Sequence, residues 1–244
     1  MKTVLVTGCA GGLGTALCAG FRAAGYRVIG TDCVRTVSNC DGFVEVDLLA
    51  ACSHPDLFQK AVSLLRDQIP DHELAALVNN AAIQLLGHTE DVTFADWEKS
   101  VAVNLTAPLF LTQALLPELE RGNGTVINIG SVHARATKPR FVAYATTKAA
   151  LVGLTRAIAV DLGPRVRVIA VNPSAIDTPM LRAGFESRPE ALTTLASMHP
   201  IQRIATPEEI TKVVVFFAST DARFSTGTAI DIDGGILSRL HDPD

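Results

Sequence analysis

Tyr144 and Lys148 stand four residues apart in the stretch 128–148, NIGSVHARATKPRFVAYATTK. On a helix that spacing puts a phenol and an ammonium on one face, one above the other. A fixed cation favours the phenolate and lowers a tyrosine pKa that is otherwise about 10, so the pair makes a tunable acid. Ser131 ends the apolar strand that precedes them, and open α/β sheets take their ligands at the C-terminal ends of strands. The chemistry on offer is a proton given to, or taken from, something bound at that edge.

Such a trio needs a frame. Apolar, often β-branched runs at 2–7, 26–31, 42–46, 74–78, 124–129, 166–171 and 228–231 read as strands. Helical patterns fill 16–24, 56–68, 94–120, 142–162 and 207–219, and 177–204 reads as a variable segment that covers the substrate. This alternation predicts an α/β, doubly wound Rossmann fold: a parallel sheet of about seven strands with helices on both faces, one domain over 1–244. No linker, repeat or low-complexity segment interrupts it.

Between the first strand and the first helix lies TGCAGGLG, residues 7–14, where a dinucleotide fold keeps its phosphate turn. Gly8 permits the reversal, Gly12 lets backbone N–H groups approach a pyrophosphate, and Gly14 lets the helix close on the sheet. The spacing is G-x-x-x-G-x-G, and because Gly11 and Gly12 are adjacent, G-x-x-G-x-x-G fits as well; the loop alone does not choose between them. Asp32 ends the second strand about twenty residues on, where a carboxylate can accept hydrogen bonds from ribose hydroxyls and repel a 2′-phosphate. The loop holds no lysine or arginine, Cys33 follows the acid, and Arg35 is the nearest cation. The pattern favours NAD over NADP.

Composition closes off other classes. Hydrophobic residues make up 48% of the 244 and charged residues 19%, ample for a large core. A net charge of −4 without a basic stripe argues against nucleic acid. No apolar run is long enough for a membrane span and the start lacks a signal-peptide layout, so a cytoplasmic location with no membrane partner is expected. The five cysteines (Cys9, Cys18, Cys33, Cys40 and Cys52) are odd in number and lack C-x-x-C spacing. They read as reduced thiols with no metal site.

With TGCAGGLG, NNAA at 79–82, Asn104, Ser131 and Tyr144-x-x-x-Lys148 assembled, the chain resembles the short-chain dehydrogenase/reductase family in its compact form, over residues 2–235. The family's longer, epimerase-like members carry a further C-terminal substrate region that this chain lacks, and this separates the two loop patterns. The resemblance implies that Tyr144 is the general acid/base while hydride moves to or from the nicotinamide of NAD. Lys148 would lower the Tyr144 pKa and bond the nicotinamide ribose, Ser131 would hold the substrate oxygen, and Asn104 would anchor a water that carries the proton outward. Cofactor contacts implied are Gly8, Gly11, Gly12, Leu13, Gly14, Asp32, Asp47 and Leu48. Further along the chain they are Asn79, Asn80, Ala81, Tyr144, Lys148, Pro173, Ile176 and Thr178. Asp47 resembles the adenine contact and Thr178 the carboxamide contact. Two departures touch cofactor affinity: Ala82 stands where NNAG has glycine, and Ser174 where the family has P-G.

Substrate contacts implied are Ser131, Tyr144, Gln84, His133 and His199. Gln84 and His133 are similar to residues of 3-hydroxybutyrate dehydrogenases, which suggests a small hydroxy acid; Phe141 stands where that group has its lysine, with Lys138 and Arg140 nearby. A secondary alcohol, a sugar or a cyclic diol stays open. The helices 94–120 and 142–162 are apolar nearly all round, and one sheet buries only one stripe of each. They are expected to pack on a second subunit, giving a homodimer or homotetramer. The alternative to a secondary-alcohol oxidoreductase is a non-catalytic NAD-sensing protein on the same fold. An isomerase or dehydratase that keeps its NAD is the third reading.

Overall fold

The chain opens with Thr3–Thr7 as strand β1, every residue of it buried. A strand buried on both faces lies inside a sheet. Strands β2 (Arg27–Asp32), β3 (Gly42–Glu45), β4 (Ala76–Asn79), β5 (Thr125–Ile129), β6 (Arg167–Pro173) and β7 (Ala229–Ile232) complete it. In this computed structural model, which describes residues 1–34, 39–186 and 188–240, all pairings are parallel and the order is β3-β2-β1-β4-β5-β6-β7. Arg35, the cation nearest Asp32 in sequence, lies outside the described residues. The chain turns outward in one direction after β1 and in the other after β4. Their C-terminal ends therefore form the crevice where such sheets take ligands.

The helices are α1 (Gly12–Ala23), α2 (Leu48–Ser53), α3 (Pro55–Asp67), α4 (Phe94–Val101), α5 (Ala107–Ala114), α6 (Leu116–Arg121), α7 (Val142–Leu162), α8 (Pro179–Ala183), α9 (Pro189–Met198) and α10 (Pro207–Ala218). Alternation along β1 sends Val4 and Val6 to a core shared with Leu17 and Phe21 of α1 and Ile210 and Val214 of α10. Leu5 points the other way, to Leu65 of α3, Leu111 of α5 and Leu162 of α7. The doubly wound sheet with helices on both faces is the architecture that the alternation predicts. Among the described residues, no helix is long and apolar enough to cross a membrane.

Two expected elements differ. The region 94–120 is not one helix. After α4 the chain widens into a π-helical turn, Ala102–Thr106, re-enters α5, and breaks at Leu115 before α6. Pro108 and Pro117 explain much of this, since a proline cannot donate to the carbonyl four residues back and is tolerated only in a first turn. The segment 177–204 holds two helices, α8 and α9, each opening on a proline. Helix α2 was not expected from sequence at all.

Candidate active site

Helix α1 starts at Gly12 with no side chain capping it, so the N–H groups of its first turn face outward, where an anion can take them. Gly8 has φ +65°, and a Cβ on Gly14 would lie 2.0 Å from the Gly8 carbonyl oxygen. Only glycine lets the helix close so tightly on the turn. From behind, Thr7 Oγ1 accepts the N–H groups of Asn80 and Ala81, both at 3.0 Å. Asn80 Nδ2 returns bonds to the carbonyls of Thr7 (2.9 Å) and Gly8 (3.0 Å). Asp32 Oδ2 accepts the Ala10 N–H at 3.0 Å, so the acid beside the turn also helps to fix it. Across the crevice, Thr178 caps α8 and comes so near Gly12 that a Cβ there would meet Thr178 Cβ at 2.9 Å. Pro173 ends β6, and Ile176 bridges to Ala205. Open helix N–H groups, a glycine that lets backbones meet and a carboxylate at the next strand end suit a dinucleotide's pyrophosphate and ribose.

Other expected cofactor residues have their side chains engaged within the chain. Leu13 and Leu48 are core side chains, which leaves only their backbone for a ligand. Asp47 caps α2, its Oδ1 accepting from Leu49 (2.9 Å) and Ala50 (3.2 Å). Asn79 is buried and donates to Asn128 Oδ1 at 2.8 Å; Asn128 in turn donates to Thr155 Oγ1 at 2.9 Å, a polar ladder from β4 through β5 to α7.

That ladder seats α7 against β5 and sets the depth of the acid. Ser131, 6% exposed, follows β5, accepts the His133 N–H at 3.2 Å and lies near the Tyr144 hydroxyl. Burial raises the Tyr144 pKa and Ser131 pulls it back. Lys148 is 2% exposed, sits 5.6 Å from the Tyr144 ring and donates to the Ile129 carbonyl at 2.7 Å. Loss of water brings its own pKa down to about 8. In the chain alone the net shift of Tyr144 is upward, because burial outweighs the lowering by Ser131.

Asn104 lies in the π-helical turn with its side chain fully engaged. Its Oδ1 accepts the Ile83 N–H at 2.9 Å, and its Nδ2 donates to the Ile83 carbonyl (3.0 Å) and to Thr147 Oγ1 (3.1 Å). Thr147 passes the bond on to the Tyr144 carbonyl at 2.9 Å. Sequence reasoning assigned no role to Thr7, Asn128, Thr147 or Thr155, although Thr7 and Asn128 open stretches it had singled out and Thr147 precedes Lys148. Their signal was a polar side chain inside an apolar element, which has to find a partner.

Of the expected substrate contacts, Ser131, Tyr144 and His133 come together. His133 stacks on Phe141 (4.3 Å between rings, 8° between planes), meets the Tyr144 ring edge-on at 5.8 Å and bonds Thr137 through Nδ1 at 2.9 Å. Burial and the nearby Lys138 lower its pKa to about 4, so it is a neutral imidazole at neutral pH. Lys138 covers the Phe141 ring at 4.8 Å. Gln84 lies exposed on the loop after β4, which is tied to the loop before α7 by the Gly87 N–H and the Arg140 carbonyl (2.9 Å). His199 is not in this group: it is 1% exposed, with Nδ1 on the Leu195 carbonyl (2.8 Å) and Nε2 on Ser174 Oγ (3.0 Å). The serine that departs from P-G thus holds a histidine at the end of α9.

A family model described as Enoyl-(Acyl carrier protein) reductase matches residues 8–237. Protein FixR of Bradyrhizobium diazoefficiens is 35% identical over 96% of this chain and 86% of its own length. D-xylose 1-dehydrogenase of Caulobacter vibrioides is 34% identical over 96% of this chain and 95% of its own. The ligand-free aldohexose dehydrogenase of Thermoplasma acidophilum superposes with a TM-score of 0.92 at 30% identity, covering 100% of this chain and 96% of that one. On the matched length, the parallel sheet and these relatives, the chain belongs to the short-chain dehydrogenase/reductase family and is an oxidoreductase.

Proposed function

We propose that this oxidoreductase interconverts a secondary alcohol and its ketone with NAD, and that Tyr144 moves the proton. The observation that carries the reading is the Ser131 hydroxyl near enough to Tyr144 to lower its pKa, with the buried Lys148 ammonium beside the ring. The N–H groups of α1, Asp32 and Thr178 would hold the dinucleotide, and Lys148 its nicotinamide ribose. Bound NAD supplies the hydride acceptor or, when reduced, the donor. In the oxidative direction Tyr144 takes the hydroxyl proton, and in the reductive direction it returns one to the carbonyl oxygen. Ser131 fixes that oxygen within reach. Lys148, fixed by the Ile129 carbonyl, stabilises the phenolate that forms. Because the Asn104 side chain is spent on Ile83 and Thr147, a proton-carrying water would rest on its backbone carbonyl. Pro108 has no N–H with which to make the α-helical bond to that carbonyl.

Tyr144→Phe tests the reading. Turnover should fall about 10²–10⁴-fold, as for loss of a general acid, while NAD binding persists. Unchanged turnover sinks the proposal, whereas NAD binding with no turnover from the parent chain on any alcohol favours the non-catalytic sensor. For the substrate, a small hydroxy acid fits best. Burial lowers the Lys138 pKa and the charge of Arg188 lowers it further, and an anion beside Lys138 would relieve that repulsion. The sugar substrates named for the two dehydrogenase relatives favour an aldose as the second reading. NADH formation from 3-hydroxybutyrate, xylose and 2-butanol separates them: no preference for the carboxylate over 2-butanol removes the hydroxy acid.

A further inference from the structure

Three of the five cysteines, scattered over 9–40 in sequence, meet behind the glycine turn. Cys9 lies in the turn, Cys18 on α1 and Cys40 just ahead of β3. Cys40 Sγ donates to Cys18 Sγ at 3.4 Å. Both Cys40 and Cys9 lie over Gly30 of β2, where a Cβ would come within 2.4 Å of Cys40 Sγ and 2.7 Å of Cys9 Sγ. The sulfurs occupy the room a side chain would fill. Their neighbour Asp41 is pinned twice, accepting the Val28 N–H at 2.8 Å and pairing with Arg22 of α1 at 3.2 Å. Cys18 and Cys40 are thus held face to face by elements on either side of them.

We propose that Cys18 and Cys40 form a reversible disulfide and that this oxidation weakens dinucleotide binding at the turn. Cys9 and Cys18 are 0% exposed and Cys40 is half-buried, so a peroxide reaches Cys40 first. The Cys40 sulfur attacks one peroxide oxygen; the S–O bond forms, the O–O bond breaks, and one water leaves with the thiol proton. Cys18 then displaces the sulfenic hydroxyl; the S–S bond forms, the S–O bond breaks, and a second water leaves. Two thiols lose two electrons and one peroxide becomes two waters. Bonded sulfurs are about 2.05 Å apart, so the contact must close by about 1.3 Å. Neighbouring sulfurs and burial hold the Cys9 thiol up at about 12 and raise that of Cys18 further, so both stay protonated in the resting chain. Among the described residues no group of histidine, cysteine or acid is placed to hold a metal ion.

The pull reaches the nucleotide end by a short route. Cys9 donates its N–H to the Thr31 carbonyl at 3.3 Å, and Ala10 donates to Asp32 Oδ2. The thiols therefore sit directly behind the two segments that would grip the pyrophosphate and ribose. This second half of the proposal rests on the dinucleotide reading above; the disulfide does not. Hydrogen peroxide applied to the full chain, followed by peptide mapping and titration with NAD, tests both. A Cys18–Cys40 linked peptide, two hydrogens lighter and reversed by dithiothreitol, is expected, with NAD affinity about tenfold weaker, within the usual range for coupled sites. Cys18→Ala and Cys40→Ala should each abolish both effects. A link through Cys9 or Cys33, or Cys40 oxidised to sulfinic acid without a link, overturns the disulfide. A Cys18–Cys40 link with unchanged NAD affinity overturns the coupling. If the reduced chain binds no dinucleotide, the functional reading and the coupling fall together, while the linked peptide still decides the disulfide.

Discussion

The carboxylate of Asp32 accepts the Ala10 N–H of the glycine turn on Oδ2 and, at longer range, the Cys33 thiol (3.5 Å) and the Val34 N–H (3.4 Å) on Oδ1, the oxygen for which a ribose would compete. Asp32→Ala should therefore act in two ways: it loses the charged acceptor for the ribose and loosens the Ala10 N–H. Hydrogen bonds to a charged group contribute about 1.5–3 kcal/mol, so NAD affinity should drop about ten- to a hundredfold, with discrimination against NADP relaxed. Titrating both dinucleotides checks it, and an unchanged NAD:NADP ratio would count against Asp32 as the selecting acid. His133 makes a prediction of a different kind. Its pKa is about 4 in the folded chain against an ordinary 6.5, so between those values the unfolded chain holds a proton that the folded one refuses. The stabilisation is complete above the ordinary value and is lost as pH falls toward 4. After allowance for solvent screening it should amount to roughly 1 kcal/mol. Urea unfolding at pH 7 and pH 5 should show the parent losing more stability than His133→Phe, which keeps the stack on Phe141 but does not titrate. Equal losses would mean that His133 is not the group responsible.

Among the elements, the π-helical turn Ala102–Thr106 matters most to the site, because it ties the loop after β4 to α7 through Asn104. Asn104→Ala leaves the Ile83 N–H and carbonyl without partners in a buried place, at about 1–3 kcal/mol for each group. A loss of about 3 kcal/mol or more in denaturant unfolding is expected, with turnover falling further than the NAD constant because Thr147 and the Tyr144 turn lose their brace. Asn104→Asp keeps the acceptor for Ile83 and should recover part of the stability. If both variants unfold like the parent, the turn is not braced by this residue. This element also marks how far the sequence could be read. The strands and α7 were legible because buried parallel strands are continuous apolar runs and a long helix declares its period. The bulge was not, since its cause is one proline's missing N–H within an unbroken apolar pattern. Ser131, Tyr144 and Lys148 could be placed because their spacing crosses a strand end and one helical turn. His199 could not: nothing local shows that a histidine ahead of a proline will be drawn inward onto Ser174. Asp47 likewise reads as a ligand contact in sequence, while its cap is visible only once α2 is known to follow it.

At the scale of the whole molecule, the unresolved demand is what covers α7. Its buried stripe is Ala143, Thr147, Lys148, Leu151, Thr155, Ala159 and Leu162, which faces the sheet and the site. The opposite stripe, Ala149, Gly153, Arg156, Ala157 and Val160, is exposed in the single chain, Val160 at 84%. It holds one charge and otherwise small or apolar groups, which lets another helix approach closely. Nearby elements add Phe94 (77% exposed) on α4, and Leu109 (37%) and Phe110 (42%) on α5. Apolar patches of this kind mark interaction surfaces more often than they mark plain solvent faces. A twofold arrangement that sets α7 against its own copy is the simplest cover, since each stripe is then its own complement. The α7 face that such packing would fix lies directly behind Tyr144 and Lys148, so assembly would also hold the acid in place. Light scattering on the purified chain at micromolar concentration should give two or four times the chain mass. Val160→Glu puts one like charge from each copy into a self-complementary interface, and should shift the species to monomer while leaving the far-ultraviolet spectrum unchanged. Turnover per chain should then be lower in the variant than in the parent. A monomeric parent at that concentration would leave α7 without its proposed cover and would remove assembly as a contributor to the site.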